Sequence, residues 1–340
     1  FESSPKLRAR ALKKLVKTTT DAERSHLRAR CPHCDAEIVD EELTGMLLDD
    51  SGAAHLDGLL ALVDSRLPSD PTIERYLERE NPDVLVVTPL VRIGSHQADY
   101  VKSAKALGIP VVFPVFSWDN LSTKGRIHVL PDVVLVWNEW QRREAIELHG
   151  VPPDDVVVTG APRFDAFFAM KPKVGRARFC RKLGLDPAEP IVTYLCSSHF
   201  VATLERDFVL RWIEEIRRVP SLATCNVVIR PHPREKQQWK RFQEPGERVA
   251  VAFPRSISVD RSLYDCVYHS AAVVGLNTSA EVEAGIVGRP VLSILAPEFS
   301  GGQQGTVHFK YLLKEHGGFV DVASDFDAHR RQLAAAVEGE

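Results

Sequence analysis

No stretch of the 340-residue chain approaches the roughly 20 consecutive apolar residues that a membrane-spanning helix requires. An excess of one charge is also missing. Lys and Arg number 43 against 46 Asp and Glu, and the net charge of -3 argues against nucleic acid as the main partner. Cysteine is sparse: six, irregularly spaced, give no disulfide framework in a chain of this length and point to free thiols in a reducing compartment. Cys31-Pro-His-Cys34 has the spacing of half a zinc site or a redox pair, yet no second ligand pair follows at suitable spacing. His26 and His55 are the nearest spare imidazoles, so free thiols and no metal are expected. No secretory signal opens the chain, and its first residue is Phe1 rather than Met, as in a fragment. A cytoplasmic protein is the expectation.

The inner membrane face is a second placement. KLRARALKKLVK (6–17) sets Leu7, Ala11, Leu12, Leu15 and Val16 among six basic residues. That pattern suits a basic amphipathic helix on anionic lipid, and equally a helix with one docked and one solvated face. Residues 40–72 are mixed and acidic, with Pro68, Ser69 and Pro71 reading as loop punctuation.

From Pro82 the chain becomes rhythmic. VLVVTPLV, IPVVFPVF, VVLVWN and VVVTGA are strand-length apolar runs, separated in places by helical ADYVKSAKALG and EWQRREAIELHG. A second series has strands IVTYLCS, CNVVIRPHP, VAVAF, VVGLN, PVLSI and GFVDVA, with helices between them and a final helix near 325–337. Near-continuous Val/Ile/Leu strands alternating with helices predict parallel sheets covered on both faces. The fold class is therefore α/β, with two Rossmann-like parallel-sheet domains facing a cleft. The first domain spans 1–170, lacks an evident opening strand and glycine-rich loop, and is expected to be incomplete at its N-terminus. A basic linker at 171–185 leads to a second domain at 186–325, and a C-terminal helix covers 326–340.

Ligands of open parallel sheets sit at the carboxyl ends of the strands, which selects the residues to inspect. In the second series these ends carry Ser197-Ser198-His199, Arg230-Pro-His232-Pro-Arg234 and Asn277-Thr278-Ser279. The last group hands a buried strand to a helix whose first turns contain Glu281 and Glu283. Unpaired N–H groups and the helix dipole favour a phosphate or diphosphate there, and the small side chains admit it closely. Glu283, about one turn further in, is placed to grip a ribose hydroxyl. An N-capped helix with Thr278 or Ser279 as cap explains the same residues without a ligand. His232 lies between prolines that hold it still, with Arg230 and Arg234 flanking, and a phosphate contact is the favoured reading. Gly301-Gly-Gln-Gln-Gly305 precedes a short helix and offers further backbone donors.

In the first series, Ser117-Trp118-Asp119-Asn120-Leu-Ser-Thr-Lys124-Gly125 follows a buried strand. Trp118 could stack on a sugar ring, Asp119 and Asn120 could hold hydroxyls, and Asp119 could serve as general base. A turn with local side-chain hydrogen bonds accounts for it equally well. Thr159-Gly-Ala-Pro-Arg163-Phe-Asp165 is expected near the hinge, with Arg163 on the acceptor side.

HGVPPDDVVVTGAPRFD, the RPHP loop and NTSAEVEAGIVGRPV together resemble the GT-B superfamily, over about residues 80–338. The nearest likenesses are to UDP-N-acetylglucosamine 2-epimerases and CDP-glycerol glycerophosphotransferase-like proteins. The resemblance implies that His232, Thr278 and Ser279 contact phosphate and that Glu283 takes the ribose. It implies a metal-independent, cofactor-free enzyme of bacterial surface-polysaccharide or glycolipid assembly, using a UDP- or CDP-type sugar as donor. The expected site comprises Asp119 and His232 as catalytic residues. The donor would be held by Ser197, Ser198, His199, Arg230, His232, Arg234, Asn277, Thr278, Ser279 and Glu283. Trp118, Asp119, Asn120, Lys124 and Arg163 would serve the acceptor. Thr278-Ser279-Ala280 stands where the epimerases carry Ser-Gly-Gly, and their full set of acidic catalytic residues is not evident. A GT-B glycosyltransferase, or glycerophosphotransferase-like relative, acting on a glycan or glycolipid acceptor is therefore the first expectation. A non-hydrolysing UDP-sugar 2-epimerase and a non-catalytic nucleotide-sugar-binding protein are the alternatives.

Overall fold

The computed structural model describes residues 67–92, 95–235, 239–240, 248–254 and 261–339. The basic 6–17 segment and Cys31/Cys34 lie outside them. The chain divides into two compact units, Phe1–Gly160 and Ala161–Glu340.

Unit 1 holds helix α1 (Pro71–Glu80), strand β1 (Leu85–Val86), α2 (Gln97–Ala106), β2 (Val111–Pro114), a short α3 (Asn120–Thr123), β3 (Val133–Val136), α4 (Glu139–His149) and β4 (Val156–Val158). Its strands form a parallel sheet in the order β1-β2-β3-β4. Val111, Phe113, Val134 and Val136 are fully buried with Val101 of α2 and Ala145 of α4. Burial alternates along β2 and β3, rather than running continuously as the near-unbroken Val/Ile/Leu runs predict for two covered faces. In edge strand β4, Val157 and Val158 are exposed. The prolines read as loop punctuation have a different role at Pro71. It occupies the first turn of α1, where its missing N–H costs nothing, and Asp70 caps that turn by accepting from the Thr72 N–H at 2.7 Å. Asn138 caps α4 in the same way, and Gly150 ends it at a φ of 70°, which a side chain would strain.

Unit 2 holds α5 (Asp165–Phe168), α6 (Arg176–Leu183), β5 (Ile191–Leu195), α7 (Glu205–Arg217), β6 (Asn226–Arg230), β7 (Val249–Val251), α8 (Arg261–His269), β8 (Ala272–Gly275), α9 (Ser279–Ile286), β9 (Val291–Ile294), α10 (Val307–Lys310), β10 (Val320–Ala323) and α11 (Phe326–Glu338). The segment expected as a linker, 171–185, contains α6, whose Phe179 and Cys180 are buried in this unit's core with Ile191 and Val228. All residues of β5, β6, β8 and β9 are buried, so this sheet is covered on both faces. Its parallel order is β10-β9-β8-β5-β6-β7. From β5 the chain builds outward through β6 and β7, then returns to place β8 on the other flank of β5. The order reverses between β5 and β8, and such a switch point opens a crevice at the carboxyl ends of the two strands.

Candidate functional site

Ser197 and Asn277 lie just beyond the carboxyl ends of β5 and β8, whose ends pair at Leu195 and Gly275. Both residues are buried, and two of their side-chain atoms, Ser197 Oγ and Asn277 Oδ1, have no hydrogen-bond partner. Buried polar atoms rarely stay unpaired. Asn277 is anchored through its amide nitrogen, which donates to the Gly302 carbonyl at 2.6 Å, so its free oxygen is held in place.

Thr278 stands at the N-cap of α9, and its N–H donates to Glu281 Oε2 at 3.2 Å, closing a capping box. The capped-helix explanation of these residues is thus met. It leaves the N–H groups of the first turn, at Ser279 and Ala280, without intrahelical acceptors. Glu281 itself is completely buried, and its second oxygen, Oε1, is unpaired. Burial pushes its carboxyl up to about 8, and the charge of Glu205 adds to the rise. Glu205, at the start of α7, is buried too. Its two oxygens accept the Ser197 N–H at 3.0 and 2.8 Å, and one also accepts from the Tyr194 hydroxyl at 3.3 Å. Burial pushes it up to about 7 despite those donors. Neither glutamate was among the expected site residues, because spacing placed Glu281 in a first helical turn and could not reveal its burial.

His232 follows β6, is partly buried, and has its pKa lowered chiefly by desolvation. The Arg234 N–H donates to its Nδ1 at 3.3 Å, which fixes the neutral ring with a proton on Nε2 and leaves that N–H as a donor. Ser198 is partly buried, while His199 and Arg234 are exposed. Strands β8, β5 and β6 are neighbours, so the loops bearing Thr278, Ser198 and His232 share one edge of the sheet.

Several of the expected site residues are engaged by internal partners. Arg230 is buried and turned away from an anion, donating to the Ala252 carbonyl at 2.8 Å and to Ser262 Oγ at 3.0 Å. Asn120 is structural: it is buried, donates to the Val91 carbonyl at 2.8 Å and accepts the Phe116 N–H at 3.2 Å. Asp119 is held by the Ser117 hydroxyl and the Lys124 ammonium, each at 2.6 Å, and by the Thr123 hydroxyl at 3.3 Å. A carboxylate so engaged is a poor general base. Trp118 is partly buried beside it. Arg163 belongs to unit 2 rather than to the acceptor-side domain, and its guanidinium lies 3.9 Å from Glu283 on α9.

Gln303 is a further residue that sequence reasoning missed. It is fully buried in the glycine-rich turn, donates to the Leu276 and Ile294 carbonyls at 2.8 and 2.9 Å, and accepts the Ala296 N–H at 3.1 Å. It therefore ties the carboxyl ends of β8 and β9 together. Gly302 in the same turn touches the Val201 backbone so closely that any Cβ would collide with it. Gly302 thus serves packing between the 198–204 and 300–306 loops. Among the described residues, no cluster of His, Cys, Asp or Glu could hold a metal ion, and no helix is long and apolar enough to cross a membrane.

No family model matches the sequence, and no curated protein does. Solved structures do match. A UDP-bound S. aureus MnaA is similar at a TM-score of 0.54 and 13% identity, over 82% of this chain and 73% of that one. A putative UDP-N-acetylglucosamine 2-epimerase from Listeria monocytogenes gives 0.53 and 15%, over 82% and 72%. The UDP-GlcNAc 2-epimerase of Neisseria meningitidis bound to UDP-GlcNAc gives 0.52 and 15%, over 78% and 71%. The chain shares the α/β fold of these structures, with two parallel sheets.

Proposed function

We propose that unit 2 binds the nucleoside diphosphate of a UDP-type sugar at the β5–β8 switch point, and that the chain is a nucleotide-sugar enzyme. One observation carries this reading. Two buried oxygens without partners, Ser197 Oγ, which can donate to a phosphate, and Asn277 Oδ1, which can accept from a ligand hydroxyl or N–H, lie at the carboxyl ends of adjacent strands. Beside them lie the unpaired first-turn N–H groups of α9. The His232 Nε2–H adds a donor from the next strand. Glu283, oriented by Arg163, is the candidate for the ribose hydroxyls. Backbone donors and a helix dipole would neutralise the diphosphate without a metal.

Epimerisation of the sugar is the first reading of the reaction, because the similar folds with UDP or UDP-GlcNAc bound include an enzyme of that name. Group transfer to a glycan or glycolipid acceptor is the second. The occupied carboxylate of Asp119 weakens transfer, since it removes the base that the transferase reading needed. UDP-GlcNAc incubated with the protein alone in deuterated water separates the two. A C2 isomer carrying solvent deuterium is expected. Donor that stays unchanged alone but is consumed with an acceptor would replace epimerisation by transfer. Binding without any turnover would leave a nucleotide-sugar-binding protein. His232→Asn and Glu283→Ala should each weaken UDP affinity roughly tenfold, the scale of one lost hydrogen bond to a charged group. Unchanged affinity in both would displace the site.

A further inference from the structure

The two buried glutamates stand together on the same switch point. Glu205 reaches the Ser197 N–H beyond β5. The Glu281 carboxylate lies over Gly275 of β8, so closely that a Cβ there would overlap it. Leu195 and Gly275 are cross-strand partners, so the carboxyls occupy neighbouring strand ends beneath the N-terminus of α9. Among the described residues, none of the groups that act electrostatically on either carboxyl is basic. Tyr194 and Cys196 on β5 and Glu235 beyond β6 act on them electrostatically, and each is neutral or acidic. Thr278 and Ser197 contribute neutral donors, their backbone N–H groups among them. Of the basic groups after β6, His232 interacts with Glu235 and with Arg234.

We propose that the Glu205–Glu281 pair takes up a proton when a diphosphate binds above it, so that ligand affinity is coupled to protonation of the protein. The inference rests on the reading of unit 2 as a diphosphate site. Its physical basis is that a carboxylate buried under a diphosphate repels it, whereas a neutral carboxyl does not. The same proton gives the pair a donor that a carboxylate lacks, available to a ligand oxygen or to the unpaired Ser197 Oγ. Near neutral pH the pair titrates, as burial has pushed both carboxyls toward that range. The protons belong to the pair rather than to either residue.

The test is calorimetry of UDP-GlcNAc binding to the full chain at pH 7.5 in two buffers of different ionisation enthalpy. This ligand's diphosphate is a diester with no titratable proton in the range, so any uptake belongs to the protein. The expected result is a net uptake approaching one proton per ligand, with Kd weakening by up to about tenfold per pH unit as pH rises through the titration. In E205Q/E281Q, whose neutral amides stand in for the protonated pair, ligand should bind without proton uptake. Binding with identical enthalpy in both buffers overturns the proposal and leaves the nucleotide site standing. Uptake that persists in E205Q/E281Q assigns the proton elsewhere, His232 foremost, and also overturns it. Absence of binding removes both the proposal and the site beneath it. Should the double variant fail to fold, infrared difference spectra of the wild type decide. A protonated carboxyl C=O band that grows on ligand binding supports the coupling, and an unchanged band refutes it.

Discussion

Gln303 uses both ends of its amide on three backbone groups, Leu276 O, Ile294 O and Ala296 N–H. Replacement by leucine keeps the bulk and strands those groups in a buried setting. Q303L should destabilise the chain by about 2–3 kcal/mol, read from denaturant midpoints at constant slope. UDP affinity should fall with it, because Leu276 leads directly into Asn277. Arg230 and Asn120 teach the opposite lesson. Both have side chains suited to ligands, and both are buried and used by neighbouring carbonyls and hydroxyls. Residue type and position at a strand end were legible in the sequence; the competing internal acceptor was not, since it comes from residues more than 20 positions away.

At the scale of elements, one glycine sets how closely the switch-point loops can approach. Gly302 packs against the Val201 backbone, and an added methyl cannot be absorbed by a rotamer change when its neighbour is main chain. G302A should separate the 300–306 turn from the 198–204 loop and weaken UDP binding more than it lowers the melting temperature. Equal affinity in G302A and wild type would show that the turn takes no part in the site. Most elements of both sheets were legible because their signals are local. Apolar runs bounded by Gly-Ile-Pro and Gly-Val-Pro, and helices with caps such as Asn138, depend on near neighbours. Helix α6 was missed because its basic residues mask a two-residue apolar stripe, Phe179 and Cys180, that only the core of unit 2 makes meaningful.

Across the whole molecule, buried titratable groups set the pH dependence of stability in opposing directions. His149 accepts the Ile127 N–H at Nδ1 and donates to the Leu121 carbonyl at 2.8 Å, and burial lowers it to about 4. His329 accepts from the Trp212 indole at 2.9 Å and is likewise lowered to about 4 by burial. Their contribution is complete above the unfolded value near 6.5 and is lost as pH falls through 4, about 3 kcal/mol each. Glu205 and Glu281 act in the other sense. Their folded-state values exceed the ordinary carboxyl range, so their contribution is complete below about 4.5 and disappears as pH rises through 7 to 8. The two effects oppose each other between about 4.5 and 6.5, whereas above that, of these four groups, the two glutamates titrate. Stability of the unliganded chain should therefore fall between pH 6.5 and 8, by on the order of 2 kcal/mol. E205Q/E281Q should be flat over that interval, and a wild type equally flat would contradict the assigned burial of the pair.

The sequence by itself determined the alternation of strands and helices, the α/β class and the strand ends at which a ligand would be sought. Each depends on residues a few positions apart, whose periodicity and capping are written along the chain. Only the tertiary structure decided which polar side chains at those ends remain unpaired and which are consumed. It also brought Glu205 and Glu281, 76 positions apart, to adjacent strands of one switch point. Burial, and with it the charge a carboxyl can carry, depends on the packing of distant segments, which no local pattern encodes.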